Sequence, residues 1–175
     1  MTDYGLLAKQ IISLAEVDAH WLPVLSNAAA LLWDALDDIN WAGFYLVDLA
    51  TVTGAELDAG AAPSTHELRI PELRLGPFQG KVACVRIPFG RGVCGTAAAT
   101  KTSQLVEDVH QFPGHIACDS ASNSEVVVPI FKDDQVVGVL DIDSPNVARF
   151  TQADLAGLEQ VVKALESCTN FSAFC

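Results

Sequence analysis

Glu125-Val126-Val127-Val128-Pro129-Ile130-Phe131-Lys132-Asp133-Asp134-Gln135-Val136-Val137-Gly138-Val139-Leu140-Asp141-Ile142-Asp143 is the stretch whose pattern decides the fold. Two apolar, β-branched runs, 125–131 and 136–143, flank the polar turn Lys132-Asp133-Asp134-Gln135, and this predicts a β-hairpin. Period two places Val139, Asp141 and Asp143 on one face. A hairpin sets the start of one strand against the end of the next, so Glu125 is expected beside Asp141 and Asp143. Solvated strand ends are one reading of these acids. Against it, they end strands that are otherwise almost wholly apolar, where a charge is costly without a partner. Three converging carboxylates either hold a cation or force one another's pKa upward, leaving a proton donor.

Outward from the hairpin, Thr151 is expected to cap a helix from 152 to about 167, with Asp154 in its first turn. The apolar stripe of that helix is Leu155, Leu158, Val161, Val162 and Leu165. Upstream, residues 107–124 form a long connection after a brief strand at 105–106. Gly90-Arg91-Gly92-Val93-Cys94-Gly95 reads as a glycine-rich turn opening a short Ala-rich helix over 96–100. Strand character runs from 67 to 75, stops at Gly76-Pro77 and resumes from 82 to 87. Residues 49–66 have the composition of a mobile loop. Asn40 to Asp48 reads as a strand with Trp41, Gly43 and Tyr45 on one face and Ala42, Phe44 and Leu46 on the other. Before it, 4–20 and 22–36 carry helical spacing, with Pro23 near a helix start where its missing N–H costs nothing. Helices at both ends of a largely antiparallel sheet predict an α+β domain. With no repeat or linker, residues 1–175 are expected to be a single domain.

Composition narrows the function. The chain of 175 residues is half hydrophobic and 18% charged, as a folded globular protein requires. Its net charge of −12 argues against nucleic acid and against an anionic membrane surface. No apolar run approaches the roughly 20 residues needed to cross a bilayer. Met1-Thr2-Asp3-Tyr4 lacks the basic start of a secretory signal, so a cytoplasmic, reducing location is expected. Five cysteines there point to reactive or simply buried thiols rather than a disulfide framework.

Of these cysteines, Cys118 lies in the polar connection Gly114-His115-Ile116-Ala117-Cys118-Asp119-Ser120 and is the candidate nucleophile. Cys84, alone, reads as a small core residue. Cys94 lies at a helix start, where the N-terminus lowers a thiol's pKa. Cys168 and Cys175 sit in the C-terminal tail, 168–175, with no assigned role. Nine and twenty-three residues separate Cys84, Cys94 and Cys118, which lacks the short pairs of structural zinc sites, and no metal is expected. Gly90-x-Gly92-x-x-Gly95 imitates a dinucleotide fingerprint, but no βαβ unit surrounds it. Trp41 and Tyr45 read as core or as an aromatic wall beside a ligand.

Six motifs carry a resemblance. Asn40 to Tyr45, Gly76 to Lys81, Arg91 to Gly95, Gly114 to Cys118, Ser122 to Glu125 and Gly138 to Ser144 strongly resemble the free methionine-(R)-sulfoxide reductases, a catalytic branch of the GAF domains. The similarity runs from about residue 25 to residue 165. It implies a GAF fold: a central antiparallel sheet, N- and C-terminal helices on one face, the ligand pocket on the other. It implies that Cys118 attacks the sulfoxide sulfur and becomes a sulfenic acid. Cys84 matches the recycling thiol, forming with Cys118 a disulfide that thioredoxin reduces, and Cys94 matches an alternative or relay thiol. Glu125, Asp141 and Asp143 match pocket acids that bind the amino group and help protonate the oxide, and Trp41 and Tyr45 match the wall around the methyl group. Backbone N–H groups of Ile116, Ala117 and Cys118 match the carboxylate site. No bound cofactor is implied, and GAF domains often dimerise through their terminal helices. The stretch from about 50 to 66 departs from the family as a flexible insertion.

Two other functions compete with the reductase. One is a GAF sensor that binds a small ligand without chemistry. The other is a thiol redox sensor, in which peroxide alone forms the Cys84–Cys118 disulfide.

Overall fold

The computed structural model describes residues 2–48, 70–114 and 120–174. In these residues the order is α1 (Tyr4–Ala15), α2 (Trp21–Ala35), β1 (Trp41–Val47), β2 (Glu72–Gly80), β3 (Arg86–Pro88), α3 (Gly92–Thr100), β4 (Gln104–Val106), β5 (Ser124–Lys132), β6 (Gln135–Ser144) and α4 (Gln152–Cys168). The strands form one sheet in the order β3-β2-β1-β6-β5-β4, antiparallel throughout. The α+β class is as the pattern predicts. No helix among the described residues is long and apolar enough to cross a membrane.

The β5–β6 hairpin forms where expected. Its two turn residues, Asp133 and Asp134, have φ of 49° and 61°. Positive φ at both central positions matches the twist of the flanking strands, and Asp tolerates it better than most residues.

Period two then sorts the sheet into two faces. Ala42, Phe44 and Leu46 of β1, Val126, Val128 and Ile130 of β5, and Leu140 and Ile142 of β6 pack against α1, α2 and α4. Trp41, Tyr45, Val127 and Val139 point the other way, into a second core with α3. A capping box starts α4: Asp154 N–H donates to Thr151 Oγ1 at 3.3 Å, and Thr151 N–H donates to Asp154 Oδ2 at 2.9 Å. The Tyr4 hydroxyl donates to Asp154 Oδ1 at 2.6 Å and ties α1 to that cap.

Several boundaries differ from expectation. The strand expected over 82–87 is confined to β3, Arg86–Pro88, which leaves Cys84 in the irregular segment before it, and the strand expected from 67 begins at Glu72. Helix α1 ends at Ala15, not His20, because the Asp18 and His20 side chains accept from the backbone N–H groups of His20 and Leu22 and so serve the start of α2. Strand β2 continues through Gly76-Pro77 instead of stopping there. One extra β2 residue is accommodated opposite Gly43 to Tyr45, and this bulge absorbs the proline's missing N–H. A Cβ at Gly76 would lie 2.9 Å from the Phe44 carbonyl, so glycine permits the close pairing. Helix α3 starts at Gly92, not Thr96. Gly95 lies inside it, where any side chain would collide with the Pro88 carbonyl; close packing on β3 explains this glycine. The expected insertion at 50–66 and Cys175 fall outside the described residues.

Candidate active site

Strand register assembles the acids. Asp143 pairs with Trp41 on one side and Glu125 on the other, and Asp141 pairs with Gly43 and Val127. Glu125, Asp141, Asp143, Trp41 and Tyr45 therefore share the face that the terminal helices leave open, as the hairpin argument requires. Glu125 and Asp141 are only 6% and 5% exposed, while Asp143 is half-buried. Helix α3 lays a thiol on this pair: Cys94 Sγ donates to Glu125 Oε1 at 3.8 Å. Ligand atoms of Cys94, Glu125 and Asp141 all lie within 4.8 Å of one another. One sulfur and two carboxylates at that spacing have the reach to share a cation.

The electrostatics follow from burial. Desolvation pushes the Glu125 carboxyl well up, and Asp141 and Asp143 push it further. Desolvation raises Asp141 to about 6, while hydrogen bonding with Cys94 and Glu125 pulls the other way. The Cys94 thiol is also pushed well up, by burial first and then by Asp141 and Glu125. The expected lowering at a helix start is overturned, because burial beside two acids outweighs the favourable helix end. Cys94 is a proton-holding group here. Tyr45 is raised for the same reasons, burial first and then Asp141. No ion pair among the described residues involves Glu125 or Asp141. Asp141 Oδ1 is buried with no hydrogen-bond partner among them. An acceptor in that condition calls for a donor that is not part of the described protein.

Aromatic rings line the next stretch of this face. The Trp41 ring stacks on Tyr45 at 5.6 Å and on Phe78 at 5.3 Å. Gly43 makes room for this, since a Cβ there would overlap Phe78 and approach the Trp41 ring to 2.8 Å. Phe78 was missed as a wall residue because β2 reads as broken at Gly76-Pro77; its signal was the continuation of strand pairing past that dipeptide. Trp41 Nε1–H donates to the Lys81 carbonyl at 3.2 Å, which ties the wall to the segment bearing Cys84.

Cys84 is half-buried and disulfide-bonded, whereas Cys94 and Cys168 are free thiols. Cys118, Ile116 and Ala117 lie outside the described residues. Their flanks are anchored near the acids. Gly92 N–H donates to the Gly114 carbonyl at 3.2 Å, and Asn123 N–H donates to the Ser144 carbonyl, next to Asp143, at 2.7 Å.

This geometry has known counterparts. A family model described as GAF domain matches residues 14–168. The chain is 48% identical to the free methionine-R-sulfoxide reductase of Escherichia coli (strain K12), across 93% of this chain and 86% of that one. It belongs to the free methionine-R-sulfoxide reductase family of GAF domains. Family members of known structure superpose closely. The reduced form of fRMsr of Staphylococcus aureus shares 50% identity at a TM-score of 0.81, covering 97% of each chain. The free methionine-R-sulfoxide reductase of Neisseria meningitidis, in complex with its substrate, shares 41% identity at a TM-score of 0.81, covering 98% of this chain and 90% of that one. The expected family and GAF fold are both borne out.

Proposed function

We propose that this protein reduces free methionine-(R)-sulfoxide to methionine, with Cys118 as the nucleophile. One observation carries the reading: the buried pair Glu125 and Asp141, in no ion pair among the described residues, lies on the same face as an aromatic wall. A free amino acid brings the missing cation. Its α-ammonium donates to Asp141 Oδ1 and Glu125, its methyl group rests against Trp41, Tyr45 and Phe78, and backbone N–H groups of Ile116, Ala117 and Cys118 take its carboxylate. A peptide-bound sulfoxide has an amide in place of the ammonium and would leave the acids desolvated and unpaired. The Escherichia coli relative's name and the Neisseria complex support this substrate.

The chemistry balances within the site. The Cys118 thiolate attacks the sulfoxide sulfur while Glu125, whose carboxyl burial pushes well up, or Asp143 beside it protonates the oxide. Oxygen passes to Cys118 as a sulfenic acid, methionine leaves, and the cysteine sulfur has lost the two electrons the substrate gained. A second thiol then displaces water from the sulfenic acid. Cys84 fits that step, and its disulfide-bonded state supports a partnership with Cys118. Cys94, buried and holding its proton, is the alternative or relay. Thioredoxin restores the thiols, and no bound cofactor is needed.

The test is thiol-dependent consumption of free methionine-R-sulfoxide, run beside the S epimer and a peptide-bound sulfoxide. Turnover of the free R epimer alone is expected, and Cys118→Ser should abolish it. Equal turnover of the peptide form would contradict the ammonium argument. Ligand-induced stabilisation without turnover would favour a sensor instead.

A further inference from the structure

The reductase cycle ends with a disulfide that another protein must reach, and the surroundings of Cys84 have a distinctive surface. Cys84 lies beside the edge strand of the sheet, in the segment leading into β3. Ala83 and Cys84 pack inward on the second core, while Val82 and Val85 on either side are 88% and 66% exposed. Single exposed apolar residues are ordinary. Here two bracket a disulfide-bonded, half-buried sulfur. The charge is also distinctive. Residues 70–91 carry Arg74, Lys81, Arg86 and Arg91 against a single acid, Glu72, in a chain whose net charge is −12. Arg74 and Arg86 share the buried Asp48 carboxylate at 2.6 and 2.9 Å, and Arg86 also pairs with Glu72 at 3.0 Å, yet both arginines keep about half their side chains in solvent. That ion-paired clamp and the Val85 carbonyl, which accepts from Leu75 N–H at 3.0 Å, hold the segment on the sheet.

We infer that Val82 and Val85, rimmed by Arg74, Lys81 and Arg86, are the docking surface for a dithiol protein of the thioredoxin class, and that its thiolate attacks Cys84. The inference rests on the reductase reading above. Thiol–disulfide exchange brings the attacking sulfur onto one sulfur of the bond, so the partner's surface must close around Cys84. Valines on both sides supply an apolar contact, and the cationic rim selects a partner whose thiol is framed by apolar residues and an acidic periphery. Attack forms a mixed disulfide at Cys84 Sγ and expels the other cysteine as a thiolate, which takes up a proton. The partner's second thiol then displaces Cys84, leaving the partner oxidised by two electrons and this chain reduced by two.

The experiment compares two reductants on Val82→Asp and Val85→Asp, with free methionine-R-sulfoxide as oxidant. With thioredoxin, kcat/KM should fall about tenfold or more, as for loss of an interface anchor, while turnover driven by dithiothreitol stays within about twofold of the unmodified protein. Added salt should raise the KM for thioredoxin, because the basic rim is solvent-exposed. A thioredoxin with its second cysteine replaced by serine should be captured on Cys84, mapped by mass spectrometry. Equal loss with both reductants, no loss with either, or capture on another cysteine overturns the proposal. So does a change in self-association, measured by sedimentation, with thioredoxin kinetics intact, since the valines would then face a second copy of the chain. If the unmodified protein shows no turnover even with dithiothreitol, the reductase reading fails instead, and trapping still tests the docking surface.

Discussion

Asp141 is the acid of the site whose buried acceptor stands without a partner among the described residues. It is only 5% exposed, one of its oxygens lacks a hydrogen bond, and its pKa is raised from 3.8 to about 6. Asp141→Asn should lower kcat/KM for the free amino acid by at least about thirtyfold, since removing one member of a buried charge contact costs roughly 2 kcal/mol or more. Steady-state kinetics with saturating reductant checks this. The same substitution should stabilise the ligand-free protein at pH 8. Between pH 3.8 and about 6 the native carboxyl holds a proton that the unfolded chain has released. Its contribution to stability is therefore present below that interval, falls as pH rises through it, and stays lost above. A shift of this size corresponds to roughly 3 kcal/mol at most. Urea denaturation at pH 4 and pH 8 should show the variant's advantage only at the higher pH. An Asp141→Asn protein less stable than its parent at pH 8 would mean that the ionised carboxylate is held by its neighbours more strongly than burial penalises it.

Among elements, β1 matters most because it faces both cores. Its even residues anchor the terminal helices, and its odd residues build the aromatic wall. Gly43 lies between Trp41 and Tyr45, opposite Asp141 and Phe78, with no room for a methyl group. Gly43→Ala should cost about 1–3 kcal/mol through overpacking, and it should raise KM because Trp41 and Phe78 must separate. A lowered melting temperature with unchanged KM would show the wall to be irrelevant to substrate. The α4 cap provides a control at a distance. Thr151→Ala removes the hydroxyl half of the capping box and should cost about 1 kcal/mol of stability, with kcat and KM unchanged.

For the whole molecule, the proposed ammonium site predicts that ligand binding and folding are linked through the acid pair. A ligand that brings an ammonium to Glu125 and Asp141 supplies the charge their burial lacks. At a hundred times its Kd, free methionine-R-sulfoxide should stabilise the fold by about 2.7 kcal/mol. In a chain of this size that raises Tm by roughly 5–10 °C. Thermal melts of a Cys118→Ser protein, which cannot consume the ligand, measure this directly. N-acetylated methionine sulfoxide, whose nitrogen bears no charge, should shift Tm far less. An equal shift from both would exclude the acids as the ammonium site.

Much of this architecture was legible in the sequence because strand periodicity is local. Alternation in 125–143 and 40–48 already assigns each side chain to a face, so the hairpin and the meeting of Glu125 with Asp141 and Asp143 follow without tertiary knowledge. The resemblance of six motifs added the family and the expected thiol roles. What only the tertiary structure decided involves contacts between elements distant in sequence. Helix α3 docks Cys94 onto Glu125, thirty-one positions away, and burial there reverses the direction of the thiol's pKa. The bulge opposite β1 carries β2 through a glycine-proline pair and thereby delivers Phe78 to Trp41. Local pattern sets which way a side chain points. How deeply it is buried, and beside which charges, is decided only when the layers close.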